Sequence, residues 1–283
     1  MKMQTLSILT NDGARSEAAL CEPDQNASDI LFLCLSAMGV TAAYYRPLAD
    51  ALTGQGHSVM LCELRGQGTS DRKAPQAKFG YREMVEQDIP AYVKAAKENC
   101  PDKDIVLLGH SLGGHLSLLY TAAHPEEVKG IALIASGSVY FRAYPFPQNL
   151  KIWFATQSAM LISALFGYFP GHKVGFGGRQ PKTVMSDWAR QGRTGRFVPR
   201  GSDFDYEAAM PKMTHPVFAL SIEGDNFAPH SATDHLTGKL KSAALARIEY
   251  HSSDAVKSKI NHFRWVKHNG EIITYLTQWV ERL

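Results

Sequence analysis

The sequence predicts an α/β protein with a mostly parallel central sheet flanked by helices and an inserted helical cap. Three observations carry this. Apolar runs of strand length alternate with stretches whose apolar residues recur at helical spacing. A glycine-flanked serine, Ser111, stands where one such run gives way to a helical stretch. The alternation then stops for about seventy residues, 140–210, before it resumes; ordered domains seldom hold structureless loops that long.

Taken in order, Thr5 to Leu9 and Ala18 to Cys21 read as an N-terminal antiparallel pair. Ile30 to Leu35 is a continuous apolar run of the kind found in strands buried on both faces. Tyr45, Leu48, Ala49 and Leu52 then recur at helical spacing. Ser58 to Cys62 reads as a strand, Arg82 to Asn99 as a helix, and Ile105 to Leu108 as a buried strand. Gly114 to His124 is helix-compatible and is stopped by Pro125. Ile131 to Ala135, Val217 to Ile222 and Arg247 to Tyr250 are further strands, and Glu271 to Leu283 closes the chain as an amphipathic helix. The organisation expected is a core from 1–139 and 211–283, with the cap at 140–210.

The 283 residues are 45% hydrophobic, enough for one large core. A net charge of +3 is too small to argue for nucleic acid as a partner. The first residues, Met1 to Ile8, hold too short an apolar run for a signal peptide. Cys21, Cys34, Cys62 and Cys100 lie far apart without metal-ligand spacing, which fits reduced thiols in a cytoplasmic protein.

Gly109-His110-Ser111-Leu112-Gly113 has the form of a nucleophile elbow, a sharp strand-to-helix turn that lifts the serine out of its backbone surroundings. Side chains at the glycine positions would crowd that turn. A serine hydroxyl needs a base, usually histidine, oriented by a carboxylate. After this elbow the chain order is serine, acid, histidine. Asp225, in Glu223-Gly224-Asp225-Asn226-Phe227-Ala228-Pro229, directly follows the strand ending at Ile222 and is the favoured acid, with Glu223 as the alternative. His262 lies between the last strand and the C-terminal helix, a placement that reaches back over the sheet edge; His251 and His268 are its competitors. One oxyanion donor is expected at the backbone N–H of Leu112. The other is expected in the loop Ser36 to Val40, at Met38.

These residues resemble the α/β-hydrolase family over essentially the full length. Gly109 to Gly114 looks like its lipase and esterase elbow. Glu63-Leu64-Arg65-Gly66-Gln67-Gly68-Thr69-Ser70 is similar to its Asp-x-Arg-Gly-x-Gly-x-Ser loop, with Glu63 in place of the aspartate. Asp225 and His262 match its acid and base. Ser36-Ala37 replaces the His-Gly pair that often precedes its oxyanion residue. The nearest branch is the one grouped with serine aminopeptidase-like hydrolases and monoacylglycerol lipases. The resemblance implies a serine hydrolase of a carboxylic ester, with a thioester or small amide as the lesser readings, that needs no cofactor or metal. Acyl transfer by the same triad and a non-catalytic ligand-binding role on the same scaffold are the alternatives.

The cap carries the substrate expectations. Ile152 to Phe169 is an uncharged stretch, predicted to lay a bulky face (Trp153, Met160, Leu161, Leu165, Tyr168) over the site and to form an apolar acyl pocket for a small-molecule substrate. Thr156, Ala159, Ser163 and Gly167 form its small or polar stripe. Membrane contact through this cap is the lesser reading. The six basic residues between Arg179 and Arg200 read as a solvated face rather than an anion site.

Overall fold

The computed structural model describes residues 1–25, 27–252 and 260–283. Its main sheet contains β1 (Lys2–Leu9), β2 (Arg15–Glu22), β3 (Ile30–Leu35), β4 (Ser58–Cys62), β5 (Asp104–His110) and β6 (Gly130–Ile134). Two cap strands, β7 (Tyr168–Pro170) and β8 (Arg179–Pro181), pair only with each other, and β9 (Pro216–Ile222) and β10 (Ala244–Tyr250) complete the main sheet. The order is β1-β2-β4-β3-β5-β6-β9-β10. The pairs β1–β2 and β2–β4 are antiparallel, and every other neighbouring pair is parallel.

The uninterrupted apolar runs are explained by burial on both faces. In β3, Leu31, Leu33 and Leu35 join one core cluster while Phe32 and Cys34 join the other. The second face is covered by α1 (Arg46–Gly54) and the C-terminal helix α7 (Gly270–Val280), through Leu48, Leu52, Ile272 and Leu276. The first is covered by α2 (Ile89–Asn99) and the elbow helix α3 (Leu112–Ala123). The four cysteines are buried free thiols.

The helix expected at Arg82 to Asn99 begins at Tyr81 and is interrupted by a π-helical turn at Met84–Asp88. Pro90 explains the widened turn: it has no N–H to donate and its ring displaces the carbonyl one turn earlier. That turn carries Asp88, which with Asp12 clamps the buried Arg65. Arg65 donates to Asp88 at 2.6 and 2.9 Å and to Asp12 at 2.6 Å.

Between β6 and β9 the chain leaves the main sheet. The stretch has more order than its sequence suggested: helices α4 (Gln148–Phe166) and α5 (Lys182–Thr194) with the β7–β8 hairpin between them. The helix α4 is turned over relative to expectation. Thr156, Ala159 and Ser163, its small stripe, are buried, whereas Leu161 and Leu165 are 57% and 81% exposed. Close approach of the two helices is the reason. A Cβ on Gly192 of α5 would stand 2.9 Å from Thr156 Oγ1, a separation that leaves room only for small side chains. Gly167 does not join the stripe; it ends the helix with φ of 80°.

Candidate active site

Four chain segments converge at the carboxyl ends of β3, β5 and β9. The sheet order runs from β3 outward in both directions, to β4 on one side and β5 on the other. The crevice at such a reversal is where open α/β sheets place ligands. Ser111 leaves β5 with φ 53° and ψ −114°. A non-glycine residue there costs roughly 1–3 kcal/mol, so its surroundings must enforce it. They do so by proximity. A Cβ on Gly113 would lie 2.1 Å from the Leu35 carbonyl oxygen at the end of β3, and one on Gly109 would lie 2.4 Å from Gly114. The elbow glycines are thus required by the approach of β3 and of the turn to itself.

The structure brings together Ser111, His262 and Asp225. His262 Nε2 is 3.1 Å from Ser111 Oγ, and His262 Nδ1 is 2.7 Å from Asp225 Oδ2. With the Nδ1 hydrogen donated to the carboxylate, Nε2 is left to accept from the serine hydroxyl. The Asp225 side chain is fully buried and that of His262 is 6% exposed. Asp225 Oδ1 accepts from the Phe227 and Ala228 N–H groups at 2.8 and 3.1 Å, which pins the acid loop behind the imidazole. The competing residues lie elsewhere: Glu223 faces His251 at 3.6 Å.

Met38 and Leu112 line the same cavity as Ser111. Leu112 is the first residue of α3, where N–H groups have no acceptor within the helix. In the β3 loop, the Ala37 N–H donates to Tyr45 Oη at 2.9 Å and is thereby committed. Tyr45 Oη also lies 2.6 Å from His110 Nδ1, tying this loop to the elbow. His110 is fully buried, and burial holds its pKa well below the ordinary value. It packs against His262 as a neutral ring, with centres 5.0 Å apart. Sequence reasoning missed Tyr45 in this role, because its spacing marked it only as an apolar helix position.

The cavity over Ser111 measures about 40 Å³. Its walls include Tyr81, Ile152, Phe176, Trp188, Phe227 and His115. Trp153, Met160 and Leu161, expected to contact substrate, do not line it: α4 presents Ile152 there instead, as its packing on α5 requires. The aromatic lining comes largely from loops. Phe176 from the cap stacks on Phe227 of the acid loop at 5.7 Å, and Phe227 lies 5.1 Å from the His262 ring. Outside this closure a groove of about 510 Å³ runs between the β3 loop and the cap glycines. Gly39 is needed at its floor, since a Cβ there would lie 2.3 Å from the Gly177 carbonyl carbon. None of the basic residues from Arg179 to Arg200 lines the cavity; Arg190 and Arg193 instead bond Val198 O and Gln157 Oε1.

A family profile described as the alpha/beta hydrolase fold matches residues 30–251. Among curated proteins, the chain is 22% identical over 263 residues to a pimeloyl-[acyl-carrier protein] methyl ester esterase of Shewanella woodyi, covering 88% of this chain and 93% of that protein. It is 24% identical over 238 residues to a putative carbamate hydrolase RutD of Pseudomonas savastanoi pv. phaseolicola, covering 80% and 87%. Among solved structures it superposes on an esterase from Exiguobacterium antarcticum with a TM-score of 0.64 and 18% identity, covering 97% and 98% of the two chains. The profile spans most of the chain, and the sheet is mostly parallel between flanking helices, so this chain belongs to the α/β-hydrolase family and is an esterase- and lipase-like hydrolase.

Proposed function

We propose that the chain is a serine hydrolase that cleaves a carboxylic ester through an acyl-enzyme. The observation that carries this is the unbroken hydrogen-bonded series Ser111–His262–Asp225, at a cavity that Ile152, Phe176 and Trp188 of the cap help to line. Ser111 Oγ attacks the ester carbonyl while His262 Nε2 takes its proton, and Asp225 stabilises the imidazolium that results. The oxyanion accepts from the Leu112 and Met38 N–H groups. The carbon–oxygen bond to the alcohol breaks as His262 returns the proton to the departing oxygen. Water then attacks the acyl-serine with the same histidine as base, and the acid leaves with Ser111 restored.

The cavity is far smaller than the roughly 300–1,000 Å³ of ordinary ligand pockets, which supports a compact acyl group. The outer groove then takes the alcohol part. Hydrolysis of p-nitrophenyl esters by wild type, Ser111→Ala and Asp225→Asn tests this reading. Wild type is expected to favour acetate over octanoate at least about tenfold. The serine variant should lose turnover, and Asp225→Asn should lose about 10⁴-fold in kcat, the size of effect seen when a triad histidine is left in the wrong tautomer. Equal turnover by Ser111→Ala would refute the mechanism.

A second reading concerns where the substrate is met. The outward face of the cap exposes Phe146, Leu150, Phe154, Leu161, Leu165 and Phe166. From Val128 to Ser186 the sequence has no Asp or Glu, while Arg142, Lys151, Lys173, Arg179 and Lys182 fall in that span. An exposed apolar surface on a segment that carries basic and no acidic residues fits the surface of an anionic bilayer. No helix among the described residues is long and apolar enough to cross one. This supports an ester presented at a lipid surface.

A further inference from the structure

At the edge of the sheet, away from Ser111, the end of β10 and the start of α6 (His230–Thr237) bring together three side chains with metal-binding donors. His230, Glu249 and His251 each offer one nitrogen or carboxylate oxygen, and these atoms all lie within 4.8 Å of one another. Glu249 and His251 are two apart along an extended chain, so they project to the same side, toward the first residue of α6. Two imidazoles and a carboxylate are the donor set of open zinc sites.

The spacing suits that ion. With tetrahedral bonds of ~2.0–2.1 Å, adjacent donors stand about 3.4 Å apart and two ligating imidazoles have ring centres about 5 Å apart. The His230 and His251 rings are 5.9 Å apart. Glu249 and His251 are exposed and His230 is half-buried, so closure by about 1 Å needs only side-chain rotation.

A second observation shows that the site is oriented. Ser221 Oγ lies 2.5 Å from His230 Nδ1. A hydrogen bond at one ring nitrogen fixes the ring and leaves the other, Nε2, as the ligand; outer partners of this kind accompany most metal-bound histidines. Charges of both signs border the site, and the Arg247 guanidinium donates to the His230 carbonyl at 3.3 Å. Arg247, on the same strand, is paired with Asp234 at 2.8 Å. Glu223 adds a carboxylate 3.6 Å from His251 Nδ1.

We propose that His230, Glu249 and His251 form a binding site for a divalent transition ion of the zinc class, with water completing its coordination. The ion takes no part in the chemistry at Ser111. It fastens the first residue of α6 to the end of β10. Those two points bound the acid loop carrying Asp225 and the chain that leads to His262.

The test is calorimetric titration of the tag-free chain with zinc, with bound metal counted after desalting. Wild type, the double variant His230→Ala/His251→Ala, Glu249→Gln and Ser221→Ala are compared, after thermal unfolding without metal has shown that each is folded. One zinc per wild-type chain is expected, with a raised thermal midpoint, and none in the double variant. Glu249→Gln and Ser221→Ala should each bind more weakly, the latter by about 10–100-fold. Absence of saturable zinc in wild type, undiminished binding by the double variant, or unchanged affinity in Ser221→Ala would overturn the proposal.

Discussion

At the scale of single residues, the region around Ser111 depends on imidazoles held neutral by burial. His115, one turn into α3, is 3% exposed and its Nε2 bonds the Gly137 carbonyl at 2.8 Å. Burial lowers its pKa from 6.5 to about 4. Between those values the unfolded chain binds the proton and the folded one does not. Stability is therefore full above about pH 6.5, falls as pH drops, and levels off below about 4, with a loss of up to about 3 kcal/mol. Urea unfolding at pH 4.5 and 7 should show a smaller pH effect in His115→Gln than in wild type; the buried His110 acts in the same direction and retains the remainder. An unchanged pH effect in the variant would assign the acid sensitivity elsewhere. Chain order and strand ends singled out Ser111, Asp225 and His262 in the sequence, and the fold brings these three within hydrogen-bond reach. The sequence left Tyr45, His110 and His115 unread, because a buried polar partner looks the same in sequence as a core residue or a solvated one.

At the scale of elements, most strands were legible because burial on both faces leaves an uninterrupted apolar run, as at Ile30–Leu35 and Ser58–Cys62. The cap was legible only as an interruption. Helix α4 lacks a one-sided apolar pattern: large side chains surround it, and the residues it buries are Thr156, Gln157, Ala159 and Ser163. Apolar bulk alone therefore pointed to the wrong face, and the partner that decides the matter, Gly192 on α5, lies 36 residues beyond Thr156. The exposed side predicts a measurable behaviour. Wild type should float with vesicles containing anionic lipid, and the triple variant Leu161→Ser/Leu165→Ser/Phe166→Ser should float several-fold less, with unchanged hydrolysis of water-soluble acetate esters. Equal flotation of the two proteins would remove the lipid-surface reading and leave the compact-acyl reading intact.

At the scale of the whole molecule, strand order is a long-range property that no local pattern encodes; the sequence reading reached a mostly parallel sheet and no order within it. One buried cluster shows how distant parts are locked together. Arg65, 4% exposed, joins the loop after β4 to Asp88 in the π-turn and to Asp12 in the β1–β2 turn. The guanidinium holds the Asp12 carboxyl well below the usual carboxylate range, against the opposing effect of burial. Arg65→Met would leave the Asp88 carboxylate buried without its cation. Loss of one partner of such a pair costs about 3–5 kcal/mol, which chemical denaturation should read as a lowered midpoint at pH 7. A loss below about 1 kcal/mol would mean that the cluster is not a structural lock.

The central claim is that Ser111 is an activated nucleophile. Intact-mass measurement after exposure to a fluorophosphonate, on wild type, Ser111→Ala, His262→Ala and Asp225→Asn, tests it most directly. A single adduct is expected on wild type, none on the serine variant, and slowed labelling of the other two. An unlabelled wild type, or a Ser111→Ala protein labelled like it, would mean that Ser111 is not an activated nucleophile.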